Sequence, residues 1–237
     1  MRIRLPLGRT LFFLSAFAFA TVALLPLRLA LDWLGLDERG FAAREAQGSL
    51  WLGAISEAQW NGVPLGDLQA RLRTLPLLAL RARVDLDSPD APKRVDGGIT
   101  VTRNTFGVDD LTATLDTVGL LGGLPIARLD LADVTARFDG GTCRAAEGQA
   151  TATLAPVASL PLPGQMTGTA RCDAGALLIP FQSASGAERM EMRLMPGGQY
   201  QARVQLLSAT PAMAPALTAA GFTATGAGFV LERQGAF

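Results

Sequence analysis

From residue 80 onward the chain alternates apolar and polar side chains with a period of two, and few folds other than a half-buried β-sheet accept that pattern. Leu80, Ala82, Val84 and Leu86 alternate with Arg81, Arg83, Asp85 and Asp87, which gives one buried and one wet face. Ile99 and Val101 repeat the pattern against Thr100 and Thr102, and Leu111, Ala113 and Leu115 against Thr112 and Thr114. Leu129 and Leu131 open a run that Val134, Ala136 and Phe138 continue in the opposite phase, so a bulge or strand break is expected between Leu131 and Val134. Further runs are Ala150 to Leu154, Met166 to Cys172, Met190 to Leu194, Tyr200 to Leu206, and Phe229 with Leu231. Turn signals separate them: Asn61-Gly62, suited to a type I′ hairpin, then Asp96-Gly97-Gly98, Asp139-Gly140-Gly141 and Pro196-Gly197-Gly198. Parallel strands buried on both faces read as continuous apolar runs, so this alternation predicts an antiparallel sheet. The expected domain is mainly β, a curved sheet or an open sandwich or barrel, with one or two short helices. Pro211 to Ala220, ending at Gly221, is one candidate helix, and Asp32 to Arg44 is a short juxtamembrane piece.

The first 31 residues do not follow this pattern. Thr10 to Leu27 holds no charged residue, and as a helix those 18 residues reach about 27 Å, close to the ~30 Å hydrocarbon core of a bilayer. Arg2, Arg4 and Arg9 precede the run and no acid occurs before Asp32, so the positive-inside rule leaves residues 1–9 in the cytoplasm. Residues 10–31 are then a transmembrane signal anchor, and residues 32–237 an exported domain. Trp33 falls where an interfacial aromatic is expected. A cleaved signal peptide ending at Ala18-Phe19-Ala20 is the rival reading, but the apolar run continues past it through Val22, Leu24, Leu25 and Leu27. Either reading exports the rest of the chain.

Charge and composition narrow the function. From Asp32 onward the chain has 17 basic and 21 acidic residues, a net of −4, which does not suit a nucleic-acid partner. With no histidine present, the commonest general base and metal ligand is missing and no Ser-His-Asp site can be assembled from this chain. No catalytic, metal-binding or cofactor-binding set is therefore expected. Gly119 to Gly123 lacks the P-loop lysine and reads as a loop, as does Ser88 to Arg94, and Asp109-Asp110 reads as a solvated turn.

The two cysteines, Cys143 and Cys172, are the strongest single signal in the exported part, where thiols oxidise. A hairpin pairing Leu154 with Pro161 places them opposite each other, so a structural disulfide is expected, adding about 3–4 kcal/mol in the chain-entropy model. Their spacing is unlike a redox C-x-x-C pair.

Shortly after the apolar segment, Gln47-Gly48-Ser49-Leu50-Trp51-Leu52-Gly53 forms a G-x-x-W-x-G pattern on Gly48, Trp51 and Gly53. Trp60-Asn61-Gly62-Val63-Pro64-Leu65-Gly66 follows, then Leu75-Pro76-Leu77-Leu78 and a strand. This succession resembles the N component of bacterial type II secretion systems, and the cysteine pair and the closing Gly221-Phe222 and Gly228-Phe229-Val230-Leu231 are similar too. The resemblance implies one inner-membrane helix, a periplasmic β domain and an accessory, non-catalytic part in exporting folded proteins across the outer membrane. It also implies that the partners are other components of the inner-membrane platform. Gly48, Trp51, Gly53, Trp60, Gly62, Pro64, Leu65 and Gly66 are its structural motif residues. The alternative is a periplasmic lipid-binding β-groove, which requires Leu80, Val84, Ile99, Val101, Leu111 and Leu115 to line one open apolar face; an enzyme is the least supported class.

Overall fold

The structure is a computed structural model that describes residues 7–33, 37, 40–88, 95–118, 124–155, 164–207 and 209–236. It opens with two helices, α1 (Leu7–Ala23) and α2 (Leu27–Trp33). The strands follow in chain order: β1 (Phe41–Ala42), β2 (Glu45–Ser49), β3 (Leu52–Trp60), β4 (Val63–Leu72), β5 (Ala82–Asp87), β6 (Val95–Val101), β7 (Thr105–Asp116), β8 (Ile126–Asp139) and β9 (Thr142–Leu154). The second half holds β10 (Gln165–Thr169), β11 (Arg171–Asp173), β12 (Ala176–Ser183), β13 (Glu188–Leu194), β14 (Gln199–Leu206), β15 (Thr223–Thr225) and β16 (Gly228–Ala236). Two short helices interrupt the strands, α3 (Thr74–Leu77) and α4 (Ala214–Ala219).

Among the described residues all 16 strands belong to one antiparallel sheet. From β3 to β14 it is almost a pure meander, each strand pairing with the next; β11 is a side branch on β12 and β2 on β3. The pairing path ends at β1 and β15 without joining them, so the sheet is open rather than a closed barrel or a two-sheet sandwich. A single sheet buries one face only by curling over itself. Its inner face supplies a continuous cross-strand row: Ala113, Leu131, Ala150, Gly168, Phe181, Met190, Val204 and Leu231, each opposite the next. Leu217 of α4 is fully buried in the same cluster and plugs it. A smaller cluster forms at the other side of the sheet from Ile55, Ala58, Leu68, Ala70, Val95 and Ala113, with Leu27 of α2 laid on it; Leu131 touches both clusters.

The bulges have a common construction. Glu57, Asp110 and Asp133 have φ near +50° and sit at or beside register shifts. Each has its N–H taken by a side chain on a neighbouring strand. Asp67 Oδ1 accepts from Glu57 at 2.8 Å, Thr135 Oγ1 from Asp110 at 3.1 Å and Thr112 Oγ1 from Asp133 at 3.3 Å. The bond compensates the ladder hydrogen bond that a bulge loses. The phase change between Leu131 and Val134 is the Asp133 bulge.

Several expectations are corrected. Leu80 is not in a strand: it has φ +55°, is 87% exposed and precedes β5, because the apolar run before it closes into α3 and its turn. Asp96-Gly97-Gly98 does not break the chain but is carried inside β6 at a register shift. Asp109-Asp110 lies within β7, not in a turn. The Met166 to Cys172 run divides into β10 and β11 at Ala170. Asn61 and Gly62 both have positive φ, as a type I′ turn requires, and Gly221 at φ +89° follows α4. Pro161, Gly119 to Gly123, and the loop from Pro89 to Arg94 lie outside the described residues.

The apolar N-terminal run is helical but interrupted. α1 has 17 residues, Pro26 bridges to Ser49, and α2 restarts at Leu27. Among the described residues no helix is long and apolar enough to cross a membrane.

Candidate functional site

The strand order decides which loops share an end of the sheet. Leu50 N–H donates to the Leu25 carbonyl at 2.9 Å, so the β2–β3 turn lies against the C-terminal end of α1. β3 runs away from that point and β4 returns, with Gly53 opposite Ala70. The α3 loop (residues 73–81), the β6–β7 turn at Arg103-Asn104 and the β8–β9 turn at Gly140-Gly141 therefore lie at the end of the sheet where α1 arrives.

At this end Gly48 and Gly53 are paired across β2 and β3. A Cβ on Gly53 would lie 2.4 Å from Leu27 Cδ2, so the absence of a side chain lets α2 pack onto the sheet. Gly48, at φ +83°, similarly meets the Leu52 carbonyl. Trp51 is half-buried in the same turn. The rest of the sequence motif lies elsewhere. Trp60 pairs with Phe41 at a ring separation of 6.2 Å, and Gly62, Pro64, Leu65 and Gly66 form the hairpin beyond it, eight residues up β3. The motif is thus two structural fittings, not one site.

The chemistry concentrates on residues that the motif does not include. Asp109 projects from β7 with its carboxylate nearly buried, accepting from Thr100 Oγ1 at 2.6 Å and Arg137 Nη2 at 2.9 Å, with Arg83 Nη1 at 3.7 Å. Arg83 Nε also donates to Asp85 Oδ1 at 3.0 Å, and Arg73 pairs with the other Asp85 oxygen. Burial alone would raise the Asp109 carboxyl, but the Thr100 hydroxyl and the guanidinium groups of Arg137 and Arg83 outweigh it and hold it below the usual carboxylate range. Asp85 is likewise lowered, burial being overcome by Arg73 and Arg83. These five charges clamp the start of the α3 loop, β5, β7 and β8 together.

Arg83, Asp109 and Arg137 line an open cleft of about 650 Å³ together with Leu80, Arg81 and Arg103. Beside it an apolar recess of about 430 Å³ is lined by Phe106, Val108, Phe138, Leu177, Leu194 and Pro196. Cys143 and Cys172 are bonded to each other behind this recess, with Cα atoms 5.5 Å apart. Among the described residues no group of three or more Cys, Asp or Glu side chains is placed to hold a metal. In the sequence Arg81, Arg83 and Asp85 read only as a wet strand face. The change of sign from Arg83 to Asp85, with a further carboxylate at Asp109, is the available signal for the clamp.

A family described as "Type II secretion system (T2SS), protein N" matches residues 39–231, from just before β1 to the middle of β16. The chain belongs to that family. The chain is also 26% identical over 212 residues to the type II secretion system protein N of Vibrio cholerae serotype O1, an alignment covering 83% of each protein. No solved structure matches. Family membership makes this chain a type II secretion component, associated with other components of that system.

Proposed function

We propose that the protein is a non-catalytic accessory component of the type II secretion platform in the bacterial inner membrane, held there by α1 with its β-sheet in the periplasm. The observation that carries the anchor is the surface of α1. Leu11, Phe12, Phe13, Leu14, Phe17 and Phe19 are all 61–76% exposed. At 100° per residue they point in every direction, so no single face docks on the protein, and a helix apolar all round needs lipid or a partner helix about it. Two hydroxyls of α1 are satisfied internally: Ser15 donates to the Phe12 carbonyl and Thr21 to that of Phe17. Seventeen residues give about 25 Å, and a stretch short of the hydrocarbon thickness is accommodated by local thinning and flanking residues. The disulfide suits the oxidising periplasm.

On this reading the sheet supplies contact surface. β1 and β15 are its free edges, and β15 is exposed along its length, so a partner strand added there gains main-chain hydrogen bonds. The lipid-groove alternative has less support. The face it needs is discontinuous, with Leu80 outside the sheet and Val101 43% exposed, while Val84, Leu111 and Leu115 pack on the smaller cluster.

The test is to crosslink cells expressing the tagged full chain, purify it from membranes and identify what accompanies it by mass spectrometry. Other secretion-platform proteins are expected. Stoichiometric phospholipid or lipopolysaccharide without those proteins would overturn the reading.

A further inference from the structure

We propose that the end of the sheet carrying the α3 loop rests on the membrane, inserting Leu75, Leu78 and Leu80 into the headgroup region of an anionic leaflet while the surrounding arginines bind lipid phosphates. This inference rests on α1 being the anchor.

Among the described residues of the sheet domain, six of nine exposed large apolar side chains lie at one end of the strands, with Trp60, Val118 and Leu207 at the other. Leu52, Leu75, Leu78, Leu80, Val101 and Phe106 are 43–87% exposed, and all lie at the end of the strands where α1 arrives. Leu75, Leu78 and Leu80, at 79%, 85% and 87%, are the extreme cases in the sheet domain. The loop that carries them is closed by its own main-chain hydrogen bonds. Leu78 N–H donates to the Leu75 carbonyl, Leu80 N–H to Leu77, Arg81 N–H to Pro76, and Arg73 N–H closes the base on Arg83. Exposing three leucines on an ordered loop is unfavourable in water, at about 25 cal/mol per Å² of apolar surface, so a cover is expected.

Charge identifies the cover. Although the chain beyond Asp32 is net acidic, the cleft beside α3 has Arg81, Arg83, Arg103 and Arg137 against Asp109 and Asp139, a net of +2. Arg83 and Arg137 are occupied by Asp109 and Asp85. Arg81 and Arg103 are exposed, and among the described residues neither has an ion-pair partner. Exposed leucines ringed by unpaired arginines match a surface that offers hydrocarbon under a layer of phosphates. The tether supplies the proximity. Leu25 is bonded to Leu50 in the adjoining β2–β3 turn, so a bilayer that holds α1 lies beside this end of the sheet. Binding here adds a second membrane contact beside α1 and fixes the orientation, with the β12–β13 turn and α4 directed away from the membrane.

The test uses the full chain in vesicles of phosphatidylethanolamine and phosphatidylglycerol, with a nitroxide attached in turn to Leu78→Cys, Ala184→Cys in the β12–β13 turn, and Phe13→Cys in α1. Depth is read from collisions with oxygen against a water-soluble nickel chelate. The expected result is a deep label at 13, an interfacial label at 78 and a fully aqueous label at 184. A second variant, Arg81→Glu, should shift the label at 78 toward water, lowering the ratio of docked to undocked loop by about fivefold for each charge lost. Pure phosphatidylcholine vesicles should act in the same direction. A deep label at 13 with one at 78 as aqueous as at 184 would overturn this proposal and leave the anchor intact. An aqueous label at 13 would overturn the anchor and this proposal together.

Discussion

Cys143 and Cys172 are disulfide-bonded although the strand register does not place them opposite each other. Cys143 N–H donates to the Gly175 carbonyl at 2.8 Å, and the β9–β10 register, with Gln165 opposite Thr153, continues to that pair. Cys172 lies three residues earlier on β11, which keeps the β10 register against β12 but is no longer paired with β9. The bond therefore pins a strand break as well as closing a loop. Replacing both cysteines by alanine is expected to lower stability by about 3–4 kcal/mol. Urea unfolding of the full chain in detergent measures it, and a loss below about 1 kcal/mol would show that the break is held by its neighbours.

Gly53 and Leu27 make a second testable pair. Gly53→Ala places a methyl group where Leu27 Cδ2 now sits, so α2 is expected to lift from the sheet. The substitution should destabilise by about 1–3 kcal/mol, as overpacking usually does. Leu27→Ala in the same chain should recover part of that loss. Protease cleavage between α1 and β2 reports the detachment directly, and unchanged cleavage in Gly53→Ala would refute the fit.

The Asp109 clamp makes stability depend on acid. Asp85 and Asp109 have folded carboxyls below their ordinary values, so their contribution is complete above the unfolded carboxylate pKa of about 4 and is lost as pH falls through the folded values. Asp109→Asn should cost about 1–3 kcal/mol at neutral pH, the range for hydrogen bonds to a charged group. It should also flatten the decline of melting temperature between about pH 5 and pH 2. An unaltered acid profile in Asp109→Asn would show that the guanidinium groups of Arg83 and Arg137 do not stabilise the carboxylate.

Phe181 on β12 is 2% exposed, opposite Met190 on one side and Gly168 on the other. Gly168 allows a close strand approach, since a Cβ there would lie 2.6 Å from the Pro180 carbonyl oxygen. Phe181→Ala should destabilise by about 3–5 kcal/mol, measured by the same urea series. A cost under about 1 kcal/mol would mean that the row from Ala113 to Leu231 is not the core.

How far the sequence anticipates this fold depends on the kind of signal. Period-two alternation locates β7, β8, β9, β13, β14 and β16 because each has one wet face, and glycines mark the turns after Asn61, Asp139 and Pro196 because those positions need φ above zero. Leu80 misleads because the alternation of β5 extends back through Arg81 into the turn that follows α3. The cysteine bond is readable from compartment and spacing, but its register is not: the three-residue offset depends on how the hairpin after Leu154 turns and on the break at Ala170. The candidate site is the least legible part. Arg83, Asp109 and Arg137 are 26 and 28 positions apart in sequence, and only the meander order brings them together.

The other proposals depend on α1 holding the sheet outside the inner membrane, and thiol labelling of Ala184→Cys in cells tests this most directly. With the native cysteines bonded to each other, a membrane-impermeant maleimide is expected to modify position 184 as soon as the outer membrane is opened. The modified chain should remain with the membrane through an alkaline wash. Labelling only after the inner membrane is lysed, or release of the chain by the wash, would contradict the anchored periplasmic arrangement.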